Sequence, residues 1–171
     1  IYNKKYQKLI FNHSNFKKKN KLKILKIDIQ DNNNINNFLK KNKFDFCFHL
    51  AAVSQVLDSN VNPRKTFDTN FMGTLNLLEN FRIINPKIKF IYSSTDKVYG
   101  DSNTLPYNEK SILNGINPYD ASKVCADILS RSYALSFNMS ISVTRSVNIY
   151  GPGDVNWDRI FPGTIKTLIK N

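Results

Sequence analysis

Tyr119 and Lys123 stand four positions apart in the run YDASK, and Thr95, Asp96 and Lys97 stand side by side in SSTDKVYG. On a helix, residues i and i+4 share a face, so the phenol and the ammonium would lie one turn apart. A cation beside a phenol favours the phenolate. A free phenol titrates near ~10, so it needs that help to act as a base at neutral pH. The hydroxyl, acid and amine at 95–97 offer a hydrogen-bond donor, a proton donor and a proton acceptor in one place. An acid and an amine side by side are the groups that paired proton transfers use. Alone, Tyr-x-x-x-Lys is a weak signal, and a solvated turn is the lesser reading of Thr-Asp-Lys. Together, after an apolar run, they have a common chemistry.

The elements that would position them alternate. A period-two pattern predicts a strand over 21–29 (KLKILKIDI). Helical spacing follows over 34–42, and a near-continuous apolar run at 44–52 (FDFCFHLAA) predicts a strand covered on both faces. An amphipathic helix is expected over 62–83, a strand over 88–95, a long helix over 117–137 and a strand over 140–151. The final IFPGTIKTLIK opens another helix. This order predicts an α/β protein with a doubly wound parallel sheet and helices on both faces. In such sheets ligands bind beyond the C-terminal strand ends. Three polar clusters fall there: Ser54, Thr95-Asp96-Lys97 and Asn148.

Consecutive residues on a strand point to opposite faces, so 95–97 can converge only where the chain has left the strand and turned. His49 reads as a packed strand residue. Cys47 and Cys125 lack metal-like spacing and read as buried, reduced thiols of a cytoplasmic protein. No metal site is expected.

The 171 residues are 41% hydrophobic and 22% charged, ordinary for one globular domain. No apolar run approaches the ~20 residues of a membrane span, and no signal peptide is expected. The net charge of +12 is concentrated in residues 1–43, which hold 12 Lys and no Arg against Asp28 and Asp31. Nucleic-acid binding is not expected, because Arg is absent there and few aromatics are interleaved for stacking. The positive field remains compatible with an anionic substrate.

The stretches DFCFHLAAVSQV, DTNFMGTLNLLE, IYSSTDKVYGD, NPYDASKVCAD and TRSVNIYGPGD, in this order, resemble the extended short-chain dehydrogenases/reductases that act on nucleotide sugars. The resemblance runs from about Lys23 to Gly163 and implies a Rossmann-type NAD domain. The triplet Thr95-Asp96-Lys97 resembles that of the 4,6-dehydratases, with Lys in third place as in the CDP-glucose enzymes. It implies that Tyr119 takes the proton of the sugar 4-hydroxyl beside Lys123. It also implies Thr95 bonded to the 4-oxygen, Asp96 as acid and Lys97 as base. An epimerase or decarboxylase of the same family is the alternative.

The same resemblance implies cofactor contacts at Asp28, Ile29, Leu50, Ala51, Ala52, Thr69, Ser93, Tyr119, Lys123 and Ser146. It implies substrate contacts at Ser54, Thr95, Asn148, Arg159 and Ile160, the Arg suited to gripping a diphosphate. It further implies a homodimer through helices 62–83 and 117–137. The family's Gly-rich loop is not in the sequence, whose first glycine is Gly73. The loop is expected before residue 1 and a substrate domain after residue 171. The 171 residues alone are expected to be a partial NAD-binding domain without turnover.

Overall fold

Asn-Pro pairs start two of the long helices. Asn62 accepts a hydrogen bond from the Lys65 amide, and Asn117 accepts one from the Asp120 amide at 3.0 Å. In each case the following proline occupies the first helical turn, where its missing N–H costs nothing. The computed structural model describes residues 23–102, 105–151, 154 and 156–170. They fall into two compact units, Ile27–Val147 and a second formed by residues 23–26 with those from Asn148 onward.

In the first unit, α1 spans Asn32–Lys41, β1 Phe46–His49 and α2 Val56–Val61. α3 (Pro63–Phe67) runs through a π-helical turn (Asp68–Met72) into α4 (Gly73–Ile84). β2 spans Lys89–Ser93, a 3-10 turn Asp96–Tyr99, α5 Pro118–Phe137 and β3 Ser140–Thr144. The three strands are parallel, in the order β1-β2-β3.

Register places Cys47 beside Phe90 and Phe90 beside Ile141, then His49 beside Tyr92 and Tyr92 beside Val143. Parallel partners project to one face, and this face packs on Ile35 and Leu39 of α1, Leu78 and Phe81 of α4, and Ala126 and Tyr133 of α5. Within this unit α1, α4 and α5 lie on that face; on the other, Phe46 and Phe48 are 53% and 66% exposed.

The expected parallel α/β order is present, with shorter strands. Residues 23–28 form no strand, and Asp28–Asp31 is a turn closed by the Asp31 amide on the Asp28 carbonyl. Alternation selects which side chains are apolar, but a strand exists only where its backbone finds a ladder partner; Lys21 and Leu22 lie outside the described residues. The run 44–52 is a strand only over Phe46–His49, and 140–151 only over Ser140–Thr144. α2 was not legible in its sequence, VLDSNV.

In the second unit, α6 spans Ile160–Lys170, the Tyr150 and Phe161 rings stack at 4.0 Å, and Lys166 stands over Trp157. Among the described residues no helix is long and apolar enough to cross a membrane.

Candidate functional site

Beyond β2 the ladder continues for two more bonds while the chain turns. The Ser94 amide donates to the Thr144 carbonyl at 2.8 Å, and the Asp96 amide donates to the Ser146 carbonyl at 3.1 Å. Thr95 caps the 3-10 turn. Its hydroxyl donates to Asp96 Oδ1 at 3.0 Å and accepts from the Lys97 amide at 3.3 Å. The turn required for 95–97 to converge is therefore formed, with Thr95 buried, Asp96 half-buried and Lys97 exposed. Asp96 and Lys97 line a cavity of about 340 Å³ together with Tyr107, Asn117 and Asp120. Gly100 ends the turn at φ +65°, where a Cβ would stand 2.2 Å from the Asn114 carbonyl oxygen. Only glycine fits that conformation beside that neighbour.

α5 brings the second half of the chemistry. Tyr119 and Lys123 lie one turn apart on it, as their spacing predicts. Lys123 is 5% exposed, and its Nζ donates to the Ser93 carbonyl at 2.5 Å. That bond ties the helix to the strand end two residues before Thr95. Burial pulls the Lys123 ammonium down to about 8, and the Asp127 carboxylate partly offsets this.

One turn further, Asp127 is fully buried and forms a two-point ion pair with Arg145, Nε to Oδ2 at 2.8 Å and Nη2 to Oδ1 at 2.9 Å. Ser94 donates to the same carboxylate at 3.0 Å, and Arg145 Nη1 donates to the Tyr99 hydroxyl at 3.1 Å. A single ion pair thus joins β2, α5, β3 and the far end of the 3-10 turn. Sequence reasoning missed it, although Tyr119, Lys123 and Asp127 repeat at four-residue spacing.

Asn70 was also missed. From the π-helical turn it accepts from the Val53 amide at 2.8 Å, donates to the Val53 carbonyl at 3.0 Å and donates to Ser122 Oγ at 2.9 Å. It holds the β1 exit, where Ser54 follows, against α5. His49 is 4% exposed and packs against Phe90 and Tyr92, as its sequence suggested. Thr74 donates its one hydroxyl proton to the Asn70 carbonyl, so His49 Nε2 must donate to Thr74 Oγ1, at 2.9 Å. Burial, then the Lys123 charge, holds His49 down to about 4. Burial pushes the Cys47 thiol up to about 11.

The remaining predicted residues fall in three groups. Ser146, Ser93, Thr95 and Asp96 meet at the β2–β3 end, as the bonds above show. On the β1 side, Leu50 is 71% exposed, Ala51 and Ala52 are half-buried and Ser54 is exposed. Thr69 is buried and accepts from the Gln30 side chain at 3.2 Å; Asp28 is exposed and Ile29 half-buried. Asn148, Arg159 and Ile160 belong to the second unit, where Arg159 pairs with Asp154 at 3.3 Å. Among the described residues no cluster of three or more His, Cys, Asp or Glu could hold a metal.

Comparison with known proteins supplies the lineage. The family model described as GDP-mannose 4,6 dehydratase matches residues 2–167. The dTDP-D-glucose 4,6-dehydratase of Dictyostelium discoideum is 40% identical over 160 residues, which are 87% of this chain and 36% of that protein. The CDP-glucose 4,6-dehydratase of Salmonella typhimurium is 29% identical over 84% of this chain and 43% of its own length. This chain spans well under half of the length of either relative. Among solved structures, the dTDP-glucose 4,6-dehydratase of Streptomyces venezuelae with NAD bound superposes with a TM-score of 0.78 at 27% identity, covering 90% of this chain and 47% of that one. The parallel sheet, the turn at the end of β2 and the Tyr119–Lys123 face thus sit in a chain that, over nearly all its length, belongs to the GDP-mannose 4,6 dehydratase family of NAD-dependent sugar-nucleotide dehydratases and epimerases.

Proposed function

We propose that the whole protein converts a nucleotide-activated hexose, CDP-glucose, to its 4-keto-6-deoxy form by loss of water. The observation that carries this reading is the 2.5 Å bond from Lys123 to the Ser93 carbonyl, which fixes the Tyr119–Lys123 face to the strand end from which Thr95-Asp96-Lys97 turns away.

NAD fits the donor set. Lys123 has three N–H donors and uses one on Ser93, so donors remain for the hydroxyls of a ribose. Ala51 and Ala52 present only methyl groups after β1, and Asp28, Ile29, Leu50, Thr69, Ser93 and Ser146 are assigned to the rest of the dinucleotide. Held by these residues, NAD would supply the hydride acceptor for carbon 4 and the hydride donor for carbon 6.

The chain's own residues move the protons. Tyr119 takes the proton of the 4-hydroxyl, and the Lys123 ammonium holds its phenolate. Thr95 steadies the 4-oxygen. The resulting ketone acidifies carbon 5, whose proton Lys97 takes and gives back to carbon 5 once water has left and carbon 6 has been reduced. Asp96 gives a proton to the departing 6-hydroxyl; its Oδ1 accepts from Thr95, which leaves Oδ2 to carry that proton. Ser54, Asn148, Arg159 and Ile160 are assigned to the sugar and diphosphate.

CDP-glucose rests on Lys97 as the third member of the triplet. The 40% identity to the Dictyostelium enzyme favours dTDP-glucose as a second reading. A homodimer through α3–α4 and α5 is part of the proposal, since Ile83 and Ile128 are exposed there by 62% and 52%. A cytoplasmic location goes with it.

The test incubates the whole protein with NAD and CDP-glucose, and separately dTDP-glucose, and weighs the sugar nucleotide. Loss of one water from CDP-glucose supports the reading, and loss from dTDP-glucose alone moves the substrate to the second. An isomer of unchanged mass would make the protein an epimerase and overturn the roles of Asp96 and Lys97.

A further inference from the structure

The Lys123 ammonium has an unusual floor. Its Nζ stands 4.5 Å from the centroid of the Tyr92 ring, on the residue just before the Ser93 whose carbonyl it bonds. Tyr92 is 1% exposed, and its ring lies 5.7 Å from the His49 ring, centroid to centroid. The Tyr92 hydroxyl is buried with no hydrogen-bond partner. An orphaned buried hydroxyl weakens a fold, so phenylalanine would be the better packing residue if packing were all that mattered to the hydroxyl end. What touches the functional amine is the ring face.

The groups around Lys123 show how much rests on that face. From β1 comes His49, neutral and donating to Thr74. From β2 come the Tyr92 ring and the Ser93 carbonyl. From its own helix come Tyr119, a turn before, and Asp127, a turn after. The Asp127 charge is answered by Arg145, just beyond β3, and by Ser94. Among the described residues, Asp127 is shared with Arg145 and only partly offsets the cost of burying Lys123, so the Ser93 carbonyl and the ring's negative face are the attractions left to hold the ammonium.

We propose that Tyr92 is a positioning residue for Lys123, its ring face holding the ammonium against the Ser93 carbonyl and on the side of α5 that carries Tyr119. The contact stands on geometry alone; its consequence for the reaction rests on the function proposed above. A desolvated cation over an aromatic face gains enough that losing the face should change its proton affinity about tenfold, or about one pH unit.

The experiment is an NMR titration of the protein labelled with [ε-13C]lysine, without ligand, the Lys123 signal being identified by its loss in Lys123→Met. Lys123 should titrate near 8 in the unaltered protein. Tyr92→Phe, which keeps the face and removes the orphaned hydroxyl, should titrate within a few tenths of that. Tyr92→Leu should titrate about one unit lower. Should the leucine variant fail to fold, phenylalanines of increasing fluorination at 92 keep the ring and weaken its face, and should lower the midpoint stepwise. Equal midpoints for the face-bearing and face-depleted variants would overturn the proposal.

In the whole protein, the basic limb of the rate profile should follow the same order. A titration that shifts as stated while no variant, nor the unaltered protein, turns over any sugar nucleotide would sink the proposed reaction and leave the role of Tyr92 standing.

Discussion

Replacing Lys123 by methionine should stabilise the protein while abolishing its chemistry. Lys123 is 5% exposed, and burial lowers its ammonium from 10.5 to about 8. Such a shift means that the folded state disfavours the charged form by about 3 kcal/mol relative to the neutral amine. The sign follows from proton counting. Below pH 8 both states hold the proton, and the fold carries the full penalty. Between pH 8 and 10.5 the folded state releases the proton before the unfolded chain does, so stability rises with pH. Methionine is close in shape and removes the charge at every pH. It also takes the donor from the Ser93 carbonyl, a loss of about 1 kcal/mol, which leaves a gain of about 2 kcal/mol at pH 7. For a chain of this length that is about 4–8 °C in Tm.

The assay is thermal or urea unfolding of the unaltered protein and Lys123→Met at pH 7 and pH 9.5. The stability gap should shrink by about 2 kcal/mol at the higher pH, and reading the gap cancels every titration the two proteins share. A variant less stable than the unaltered protein at pH 7, or a gap equal at both pH values, would refute the claim that the ammonium is held there at a cost.

Four further outcomes follow from the same contacts. His49, held to about 4 by burial, stays neutral in the fold while the unfolded chain protonates near 6.5. Stability should therefore fall by about 3 kcal/mol as pH drops from 6.5 to 4, and His49→Gln should flatten that slope in denaturant titrations. Arg145→Met leaves the fully buried Asp127 without its cation and should cost about 3–5 kcal/mol by urea unfolding, whereas the joint change of both residues to apolar ones should cost much less. Gly100→Ala forces a Cβ to 2.2 Å from the Asn114 carbonyl at a φ of +65°. It should lower Tm and depress turnover of the whole protein together, since the turn it ends carries Asp96 and Lys97. Asp96→Asn should leave oxidation at carbon 4 intact, seen as NADH absorbance, while water loss by mass spectrometry stops.

The fold was legible where local chemistry decides. Asn62-Pro63 and Asn117-Pro118 announce helix starts because a side-chain acceptor and a pre-set φ act within four residues. Phe90 and Tyr92 announce a buried face because alternation is a property of the strand itself. The alternation of Lys with Leu or Ile at 21–29 promised a strand in the same way, yet 23–28 form none. Periodicity fixes the side chains' faces but not whether the backbone has a neighbour. The brief helix Val56–Val61 lacked a signal because its polar residues, Asp58, Ser59 and Asn60, suit a loop as well as a single helical turn and a half.

The candidate site was read by residue type, and its support was illegible. Thr95, Asp96, Lys97, Tyr119 and Lys123 were named from spacing and resemblance, and the structure joins the strand end to the helix face through the Lys123–Ser93 and Ser94–Asp127 bonds. What fixes their mutual orientation comes from residues far apart in sequence: Asp127 with Arg145, and Asn70 spanning Val53 and Ser122. These are polar side chains buried in a place where a sequence reader expects apolar ones. Each is satisfied only by partners on other elements, so no window of neighbouring residues contains the pattern.

That arrangement has a physical logic. A lysine that must stay buried and near its own titration point needs attraction enough to keep its place but not enough to fix its proton. Asp127 alone, one helical turn away and unpaired, would hold the proton firmly. Shared with Arg145 it only partly offsets the cost of burial, and the softer attractions of the Ser93 carbonyl and the Tyr92 ring add to it. An ammonium poised near 8 follows from that balance, and it is the condition that the role proposed for Lys123, support of a phenolate at Tyr119, requires.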